Sequence, residues 1–420
     1  MKRANDKHSA LYPLYWVRMS SRSTLIDGKI LGTHENLFVD DGFSWAPFVP
    51  QGAWHLSGEA KEETHTCFDT LLRLNGVTLD LLPPKRFVTC MDSLGCKSPP
   101  WGKIIPRDQY RIFLDKLVSS AVEILPKLDD QYYRGFWGQA GGILRALEPA
   151  KTDRPFLQGA ISRGEFNGSV LKSLLPGDDG FAPLPRYDRF GTRTGRLTVK
   201  SGPQILTLKK DYRRAILSSF KGGSIISLDF SALEARILLY ALGGSCPERD
   251  LYAKISREAF GTEERRKVVK GAVLAELFGS SRAALAAALG VSGPELQVFI
   301  GQIKRHFNIA PLVEGLKSQF SSLGFIKNAF GRRVSIDDPS PHILVNSFAQ
   351  SSGVDVALLG FSSLLPHFSG REIRPLFVLH DALILDVSPE GKRLVEEIDS
   401  IRVPLFSESF PVKIEEKFVQ

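Results

Sequence analysis

The spacing of apolar positions predicts one long helix in the first half of the chain. In the stretch RDQYRIFLDKLVSSAVEILPKL, residues 107–128, apolar residues recur at intervals of three and four, as they do along one face of an α-helix. The residues of this face are Tyr110, Phe113, Leu117, Val118 and Ala121. We expect the helix to end near Pro126, because proline lacks the amide hydrogen that a helix interior needs.

A different pattern precedes this helix. Residues 1–104 carry four tryptophans among glycines, prolines and short apolar runs, of which Leu37, Phe38 and Val39 form one. Short apolar runs between turn-forming residues are typical of short strands and loops. The sequence of this part indicates no function.

The second half mixes strands and helices. A loop-forming stretch, LPGDDGFAPLPR at residues 175–186, favours a division of the chain there. After it come an apolar strand (GSIISLDF, 223–230) and three helical segments (SALEARILLYAL, EERRKVVKGAVLAELFG and SSRAALAAALG). The stretch RPLFVLHDALILDV, residues 374–387, consists of two apolar runs around His380 and Asp381, and predicts a β-hairpin. The absence of regular βαβ alternation predicts an α+β fold.

Composition and charge narrow the class of protein. The chain has 420 residues, of which 43% are hydrophobic and 24% charged, and this range excludes a wholly disordered or collagen-like protein. A net charge of +8 is compatible with a polyanionic partner but is weak support for one. No apolar stretch reaches the roughly 18 residues that span a bilayer, so we expect no membrane crossing. The first residues lack the apolar core of a signal peptide, so we expect a cytoplasmic protein.

Two aspartates are candidates for metal chemistry. Asp229 ends the apolar strand, and Asp381 lies at the turn of the hairpin. A carboxylate at the end of a buried strand is costly unless it is paired or bound to a cation. Mg²⁺ is typically bound by one or two carboxylates together with phosphates and water. The alternative is that both aspartates begin turns or cap helices.

The basic helical segment is a candidate phosphate site. Arg266, Lys270, Leu274 and Phe278 are spaced by four, so they share one helix face. The two cations could bind a triphosphate, and the apolar end could pack against a base or sugar. The alternative is an amphipathic helix with Leu274 and Phe278 in the core.

These residues together resemble the family A DNA polymerases. LDFSALEAR resembles the first polymerase motif of that family, with Asp229 and Glu234 at its characteristic positions. RRKVVKGAVLAELFG is similar to the second motif, which binds the incoming nucleotide, and VLHDALILDV is similar to the third. Three shorter islands, TGRL (194–197), GRR (331–333) and NSFAQ (346–350), follow the family's order.

The resemblance implies a fold and a division into domains. It implies a right-hand polymerase with a palm sheet, helical fingers and a helical thumb, plus an amino-terminal domain of unknown fold. The expected divisions are 1–104 for the amino-terminal domain, 105–192 for the thumb and connecting segment, 193–244 for the first palm segment, 245–340 for the fingers and 341–420 for the second palm segment. The first of these is either a remnant of an exonuclease domain or unrelated to one.

The resemblance also implies a role for each site residue. Asp229 and Asp381 are the expected catalytic ligands of two Mg²⁺ ions. The expected nucleotide-binding residues are Arg266, Lys270, Leu274, Phe278 and Glu234, with Glu234 excluding the ribose 2′-hydroxyl. The expected contacts to primer-template DNA are Arg196, Arg236, Asn346, Gln350 and His380. The implied activity is template-directed addition of deoxynucleotides to a primer 3′ end, and any replisome partner stays unidentified.

Three positions depart from the family pattern. Ala382 stands where a glutamate usually follows the aspartate of the third motif. Leu274 replaces an aromatic residue of the second motif, and Phe278 replaces a tyrosine whose hydroxyl helps to position the glutamate of the first motif. We therefore expect Glu234 to be held less firmly than is usual in the family.

The sequence also bears on proofreading and on rival activities. The exonuclease that often precedes this polymerase core needs two carboxylates in the pattern Asp-x-Glu, and residues 1–193 contain none. We therefore expect no proofreading, and the short chain fits an origin in a virus or mobile element that acts in the host cytoplasm. The alternatives are a reverse transcriptase, a single-subunit RNA polymerase, which Glu234 disfavours, or a catalytically weakened palm that binds DNA.

Overall fold

The chain forms two compact units, and each is described by itself. The computed structural model describes residues 24–26, 36–39, 43–46, 54–56, 67–79, 83–96, 99–246, 248–279, 281–291 and 293–417. The first unit is Met1–Gly138 and the second is Gln139–Gln420.

A small sheet and a set of helices make up the first unit. Its described strands are β1 Thr24–Ile26, β2 Asn36–Val39, β3 Phe43–Ala46 and β4 Trp54–Leu56. They are ordered β3-β2-β1-β4, with β1 antiparallel to β2 and parallel to β4. The short strands predicted here are therefore confirmed, including the one that contains Leu37.

Helices follow this sheet. They are α1 Phe68–Leu74, α2 Lys85–Ser93, α3 Trp101–Ile104 and α4 Arg107–Ile124, and a 3₁₀ turn, Leu125–Lys127, and a π-helical turn, Tyr133–Trp137, come after them. The long helix predicted to end near Pro126 is confirmed as α4, which buries Phe113, Leu117, Val118 and Ala121. The prediction of strands and loops throughout residues 1–104 was wrong for α1 to α3, because these helices are too short for a clear helical period.

A five-stranded antiparallel sheet organises the second unit. Its strands are β9 Ser224–Phe230, β12 Ile373–Leu379, β13 Ala382–Val387, β14 Ser400–Ile401 and β15 Phe410–Lys417, in the order β12-β13-β9-β15-β14. The predicted hairpin is β12 and β13, and it places β13 directly beside β9. Every residue of β13 is buried, which accounts for its continuous apolar sequence.

Shorter strands and most of the helices surround this sheet. The remaining strands are β5 Lys151–Thr152, β6 Arg186–Asp188, β7 Thr198–Ser201, β8 Ile216–Leu217, β10 Ile326–Lys327 and β11 Arg333–Val334. The chain passes between the units at α5 Gly138–Ala140, and the helices that follow are α6 Gly142–Arg145, α7 Arg154–Ser162, α8 Gly168–Lys172, α9 Leu233–Ala241, α10 Leu251–Phe260, α11 Arg266–Phe278, α12 Arg282–Leu289, α13 Pro294–His306, α14 Ala310–Leu323, α15 Pro341–Phe368 and α16 Pro389–Glu396. The three helical segments predicted after β9 are confirmed as α9, α11 and α12.

The long helix α15 packs on the sheet and forms the centre of the core. Phe361 of α15 lies against Phe230 of β9, with their ring centroids 5.2 Å apart. A Cβ atom at Gly360 would come within 2.9 Å of the Phe230 ring, so a glycine is needed where the helix approaches the strand. Within the described part of the chain, α15 is the one helix long and apolar enough to cross a membrane, and 72% of that apolar window is buried inside the protein. Its apolar character is that of a core helix.

Candidate active site

The palm-like sheet brings the two predicted aspartates together. Asp229 on β9 is paired in register with Ala382, the first residue of β13, and Asp381 immediately precedes that residue. The amide of Phe230 donates a 3.1 Å hydrogen bond to the carbonyl oxygen of Asp381. Side chains at neighbouring positions of an antiparallel pair lie close together. Two carboxylates distant in sequence therefore stand side by side at one end of the sheet.

The surroundings make this end of the sheet attractive to cations. Burial raises the pKa of Asp381, and the nearby side chains of His380, Lys270 and Arg196 oppose that increase. A carboxylate that burial disfavours as an anion gains most from a bound cation. The site therefore combines a need for positive charge with oxygen ligands.

The two aspartates fit a divalent metal that is completed by other oxygen ligands. In the described residues no group of three or more His, Cys, Asp or Glu side chains is close enough to form a metal site by itself. Magnesium commonly takes one or two carboxylates and fills its remaining positions with phosphate and water oxygens. A pair of aspartates is thus a suitable donor set for a metal that arrives with a phosphate ligand.

A cleft of about 430 Å³ opens beside the aspartates. Its lining includes eight of the residues predicted from the sequence, namely Arg196, Asp229, Glu234, Lys270, Leu274, Gln350, His380 and Asp381. The lining comes from the TGRL segment, β9, α9 and the residue before it, α10, α11, α15 and the turn of the hairpin. Arg236, Arg266, Phe278 and Asn346 lie outside that lining.

The backbone is strained on both sides of the aspartates. His380 in the hairpin turn has φ of 57°, and Ala232 at the start of α9 has φ of 54°. A non-glycine residue in this left-handed region costs about 1–3 kcal/mol, and such residues cluster at functional sites. Both of these residues line the cleft.

Glu234 is held by an arginine. Arg196 donates a 3.0 Å hydrogen bond from Nη2 to Oε1 of Glu234. Burial raises the pKa of Glu234, and Arg196 opposes that increase. The sequence predicted a loosely held Glu234 because Phe278 lacks a hydroxyl. The structure adds an ion pair from Arg196 of the TGRL segment, and a looser hold on Glu234 than is usual in the family stays a prediction.

The predicted phosphate helix is α11, and its residues have different surroundings. Lys270 and Leu274 line the cleft. Arg266, at the start of the helix, forms an ion pair with Asp250, which caps α10. Phe278 is the last residue of α11 and is half-buried. The structure thus brings one of the two predicted cations into the cleft.

Arg236 is buried and forms hydrogen bonds with backbone carbonyl groups. Its side chain is fully buried, and its guanidinium donates hydrogen bonds to the carbonyl oxygens of Ser231, Cys246, Glu248 and Arg249. A buried guanidinium has five N–H donors to satisfy, and these carbonyls accept from them. The predicted contact of Arg236 with nucleic acid is therefore corrected, because this side chain has no exposed surface and instead fastens the segment after α9.

Two polar residues of α15 lie one turn apart. Gln350 lines the cleft, and its Nε2 donates a 2.6 Å hydrogen bond to Oδ1 of Asn346. Asn346 is half-buried. The amide pair presents hydrogen-bonding groups from the core helix at the edge of the site.

A buried ion pair supports the TGRL segment. Arg332 donates from Nε to Asp355 over 2.9 Å and from Nη2 to the carbonyl oxygen of Thr194. Gly195 has φ of 75°, and a Cβ atom there would lie 2.4 Å from the Arg332 guanidinium, so glycine is required on both counts. This pair fixes the backbone from which Arg196 reaches Glu234.

Sequence reasoning missed three residues of this region. Tyr252 lines the cleft, Asp250 joins α10 to α11, and Asp355 is the partner of Arg332. The helix-capping aspartate before an apolar run at residues 250–255 is a signal that could have located α10 and its first turn. Asp355 gave no local signal, because its partner is distant in sequence.

Comparisons with known proteins agree with this geometry. The model of DNA polymerase family A matches residues 184–401, more than half of the chain. A thermostable DNA polymerase I of Thermus caldophilus is 22% identical over 343 residues, which are 73% of this chain and 39% of that protein. A DNA polymerase of Mycobacterium phage L5 is 26% identical over 217 residues, 49% of this chain and 35% of that protein. The chain therefore spans well under half the length of these relatives.

A solved structure confirms the predicted fold class. The POL domain of Pol1 from M. smegmatis, in complex with DNA primer-template and dNTP, matches 95% of this chain and 96% of that domain. The TM-score is 0.54 at 15% sequence identity, which establishes likeness of fold. The α+β right-hand polymerase fold is thus confirmed, whereas the five domain boundaries stay predictions. With its motifs gathered in one cleft and the family model matching over half its length, the chain belongs to DNA polymerase family A.

Proposed function

We propose that the protein is a template-directed DNA polymerase that adds deoxynucleotides to the 3′ end of a primer. The observation that carries the proposal is the pairing of Asp229 and Asp381 at the end of the sheet, beside a cleft that also presents Lys270 and Glu234. Family membership and the DNA primer-template and dNTP bound to the related Pol1 domain support it.

Asp229 and Asp381 would hold two Mg²⁺ ions. When bound, such ions would supply activation of the attacking primer 3′-hydroxyl and neutralisation of the charge on the pyrophosphate leaving group. The contribution of this chain is to hold both carboxylates in register on adjacent strands. Ala382 supplies no further carboxylate, but it leaves the aspartate pair intact.

The incoming nucleotide would lie between α11 and α9. Lys270 would neutralise the triphosphate, and Leu274 offers an apolar surface to the base or sugar. Arg266 would join at the start of α11, where the helix N-terminus also favours negative charge. Glu234, on the facing helix, would occupy the space that a ribose 2′-hydroxyl needs, and Phe278 would contribute a ring at the far end of α11.

Primer-template DNA would enter from the side of Arg196 and α15. Arg196, His380 and Gln350 line the cleft, with Asn346 hydrogen-bonded to Gln350. Side chains of these types donate hydrogen bonds to base edges and sugar in the minor groove. We propose these four residues as the DNA contacts.

The test is primer extension with Mg²⁺, in which DNA or RNA templates are combined with deoxynucleotides or ribonucleotides. We expect extension on DNA with deoxynucleotides, and we expect Asp229→Asn and Asp381→Asn each to lower its rate at least about 100-fold, since losing a metal ligand removes several kcal/mol of transition-state stabilisation. Primer-template affinity should change little, because phosphate contacts dominate binding.

The control is Asp399→Asn, which removes the same charge from an exposed side chain of the second unit. It should extend at the wild-type rate. If Asp229→Asn or Asp381→Asn kept more than about one hundredth of the wild-type rate, that result would contradict the assignment. Extension only with ribonucleotides would replace the proposal with an RNA polymerase.

A further inference from the structure

Tyr252 has a fixed position in the first turn of α10. Asp250 caps the helix, and its Oδ1 accepts hydrogen bonds from the amides of Tyr252 and Ala253 over 3.1 and 3.0 Å. The other carboxylate oxygen of Asp250 accepts from Arg266 at the start of α11. The backbone of Tyr252 is therefore tied both to its own helix and to the helix that carries Lys270.

Tyr252 is a buried residue whose hydroxyl reaches the cleft. The residue is 3% exposed and lines the cleft between α9 and α11. Among the residues that the structure describes, no atom forms a hydrogen bond with this hydroxyl. A hydroxyl that reaches the cleft and has no partner in the protein is available to a group inside the cleft.

Glu234 offers a matching acceptor in the same cleft. Its Oε1 accepts from Arg196, whereas its Oε2 accepts no hydrogen bond from any described residue. Burial and, next, the negative charge of Glu234 raise the pKa of Tyr252, so the phenol keeps its proton at neutral pH and can donate it. The Tyr252 hydroxyl and Oε2 of Glu234 thus belong to two side chains that line the same cleft.

Arg196, which donates to Oε1 of Glu234, has a second expected partner. Arg196 is 46% exposed and is one of the proposed DNA contacts. When primer-template occupies the cleft, an arginine shared with DNA holds Glu234 less completely. A second hydrogen-bond donor to Glu234 would then determine how firmly its carboxylate is held in position.

We propose that Tyr252 is a specificity-determining residue of the nucleotide site, whose hydroxyl donates to Oε2 of Glu234 and fixes that carboxylate where a ribose 2′-hydroxyl would fall. The inference rests on the proposed polymerase function and deepens it. Tyr252 acts through Glu234 and is thus a positioning residue. Its effect belongs to the choice between deoxynucleotide and ribonucleotide.

The experiment compares kcat/KM for a deoxynucleotide and the matching ribonucleotide in primer extension. Tyr252→Phe removes the hydroxyl and keeps the ring. We expect the deoxynucleotide preference to fall about tenfold, as for loss of one hydrogen bond to a charged group. Tyr212→Phe, which removes the hydroxyl of a tyrosine outside the cleft, should leave the preference unchanged.

A double-mutant cycle tests the route of the effect. In a Glu234→Ala background Tyr252→Phe should change the preference no further, because the group on which it acts is gone. An unchanged preference in Tyr252→Phe would overturn the inference. So would an equal tenfold fall in the Glu234→Ala background, or a loss of deoxynucleotide use with the preference intact, which would indicate a direct contact to the nucleotide. Failure of the wild type to extend any primer would overturn the proposed function itself, and the inference with it.

Discussion

At the scale of single residues, Lys270 and Arg266 show how one helix face serves two purposes. They lie four residues apart on α11, but Lys270 faces the cleft whereas Arg266 forms an ion pair with Asp250. A positive charge on the lining of the cleft lies where it can interact with a phosphate bound there. We therefore expect Lys270 to make the larger contribution to binding of the proposed triphosphate.

Lys270→Ala should lower kcat/KM for the deoxynucleotide by an amount equivalent to about 2–4 kcal/mol. The reason is loss of a charge that faces both the aspartate pair and the proposed triphosphate. Steady-state primer extension at varied nucleotide concentration measures this change.

Lys267→Ala is the matched control, because Lys267 is an exposed lysine of the same helix outside the cleft lining. Its effect should stay within about 0.5 kcal/mol, as for an ordinary surface substitution. Equal losses in the two variants would mean that the assay reports the stability of α11 rather than a phosphate contact.

At the scale of elements, the local pattern of apolar residues predicted several helices and strands correctly. The helix α4 and the strands β9, β12 and β13 follow from the apolar pattern. A half-buried helix repeats apolar residues every three or four positions, whereas a buried strand is a short continuous apolar run. The position of Asp381 at the hairpin turn followed from the same spacing. These predictions needed no knowledge of distant contacts.

The rest depends on contacts between distant segments. The burial of Arg236 comes from carbonyl groups in the segment that follows α9, and the anchoring of Glu234 comes from Arg196 in a loop before β9. The left-handed conformation of His380 follows from the tight turn between β12 and β13, and the identity of the residue does not predict it. A polar side chain in a sequence gives no indication of which distant group will satisfy it, so these features emerge only in the folded chain.

The Arg332–Asp355 pair joins three elements and gives a test at this scale. Both side chains are buried, and Arg332 also donates to the carbonyl oxygen of Ser351. Arg332→Met should lower the free energy of unfolding by about 3–5 kcal/mol, because it leaves the Asp355 carboxylate buried without its cation. Urea denaturation measures the change.

A second arginine supplies the comparison. Arg193 pairs with Asp337 on the surface, with side chains 66% and 69% exposed. Arg193→Met should cost no more than about 1 kcal/mol, since exposed ion pairs contribute little. Similar losses in both variants would remove the argument that burial makes the Arg332 pair structurally important.

At the scale of the whole molecule, the candidate chemistry is concentrated in one unit. Every residue that lines the cleft belongs to Gln139–Gln420. The described strands and helices of Met1–Gly138 contribute no residue to that lining. Among the described residues, those that we propose for the synthesis chemistry therefore all belong to the second unit.

This division leads to a prediction about degradation of the primer. Hydrolysis of a 3′-terminal nucleotide needs a carboxylate pair of its own to hold metals, and residues 1–193 contain no Asp-x-Glu to begin such a site. With Mg²⁺ and no nucleotides, we expect the protein to leave a primer with a mismatched 3′ end at full length, as read from an end-labelled primer on a denaturing gel. The same reaction with Asp229→Asn separates the two centres, because that change disables synthesis but would not affect a nuclease elsewhere in the chain. Stepwise shortening that persists in Asp229→Asn would reveal a nuclease built from carboxylates in another arrangement, whereas shortening that disappears with Asp229 would place the cleavage in the polymerase cleft itself.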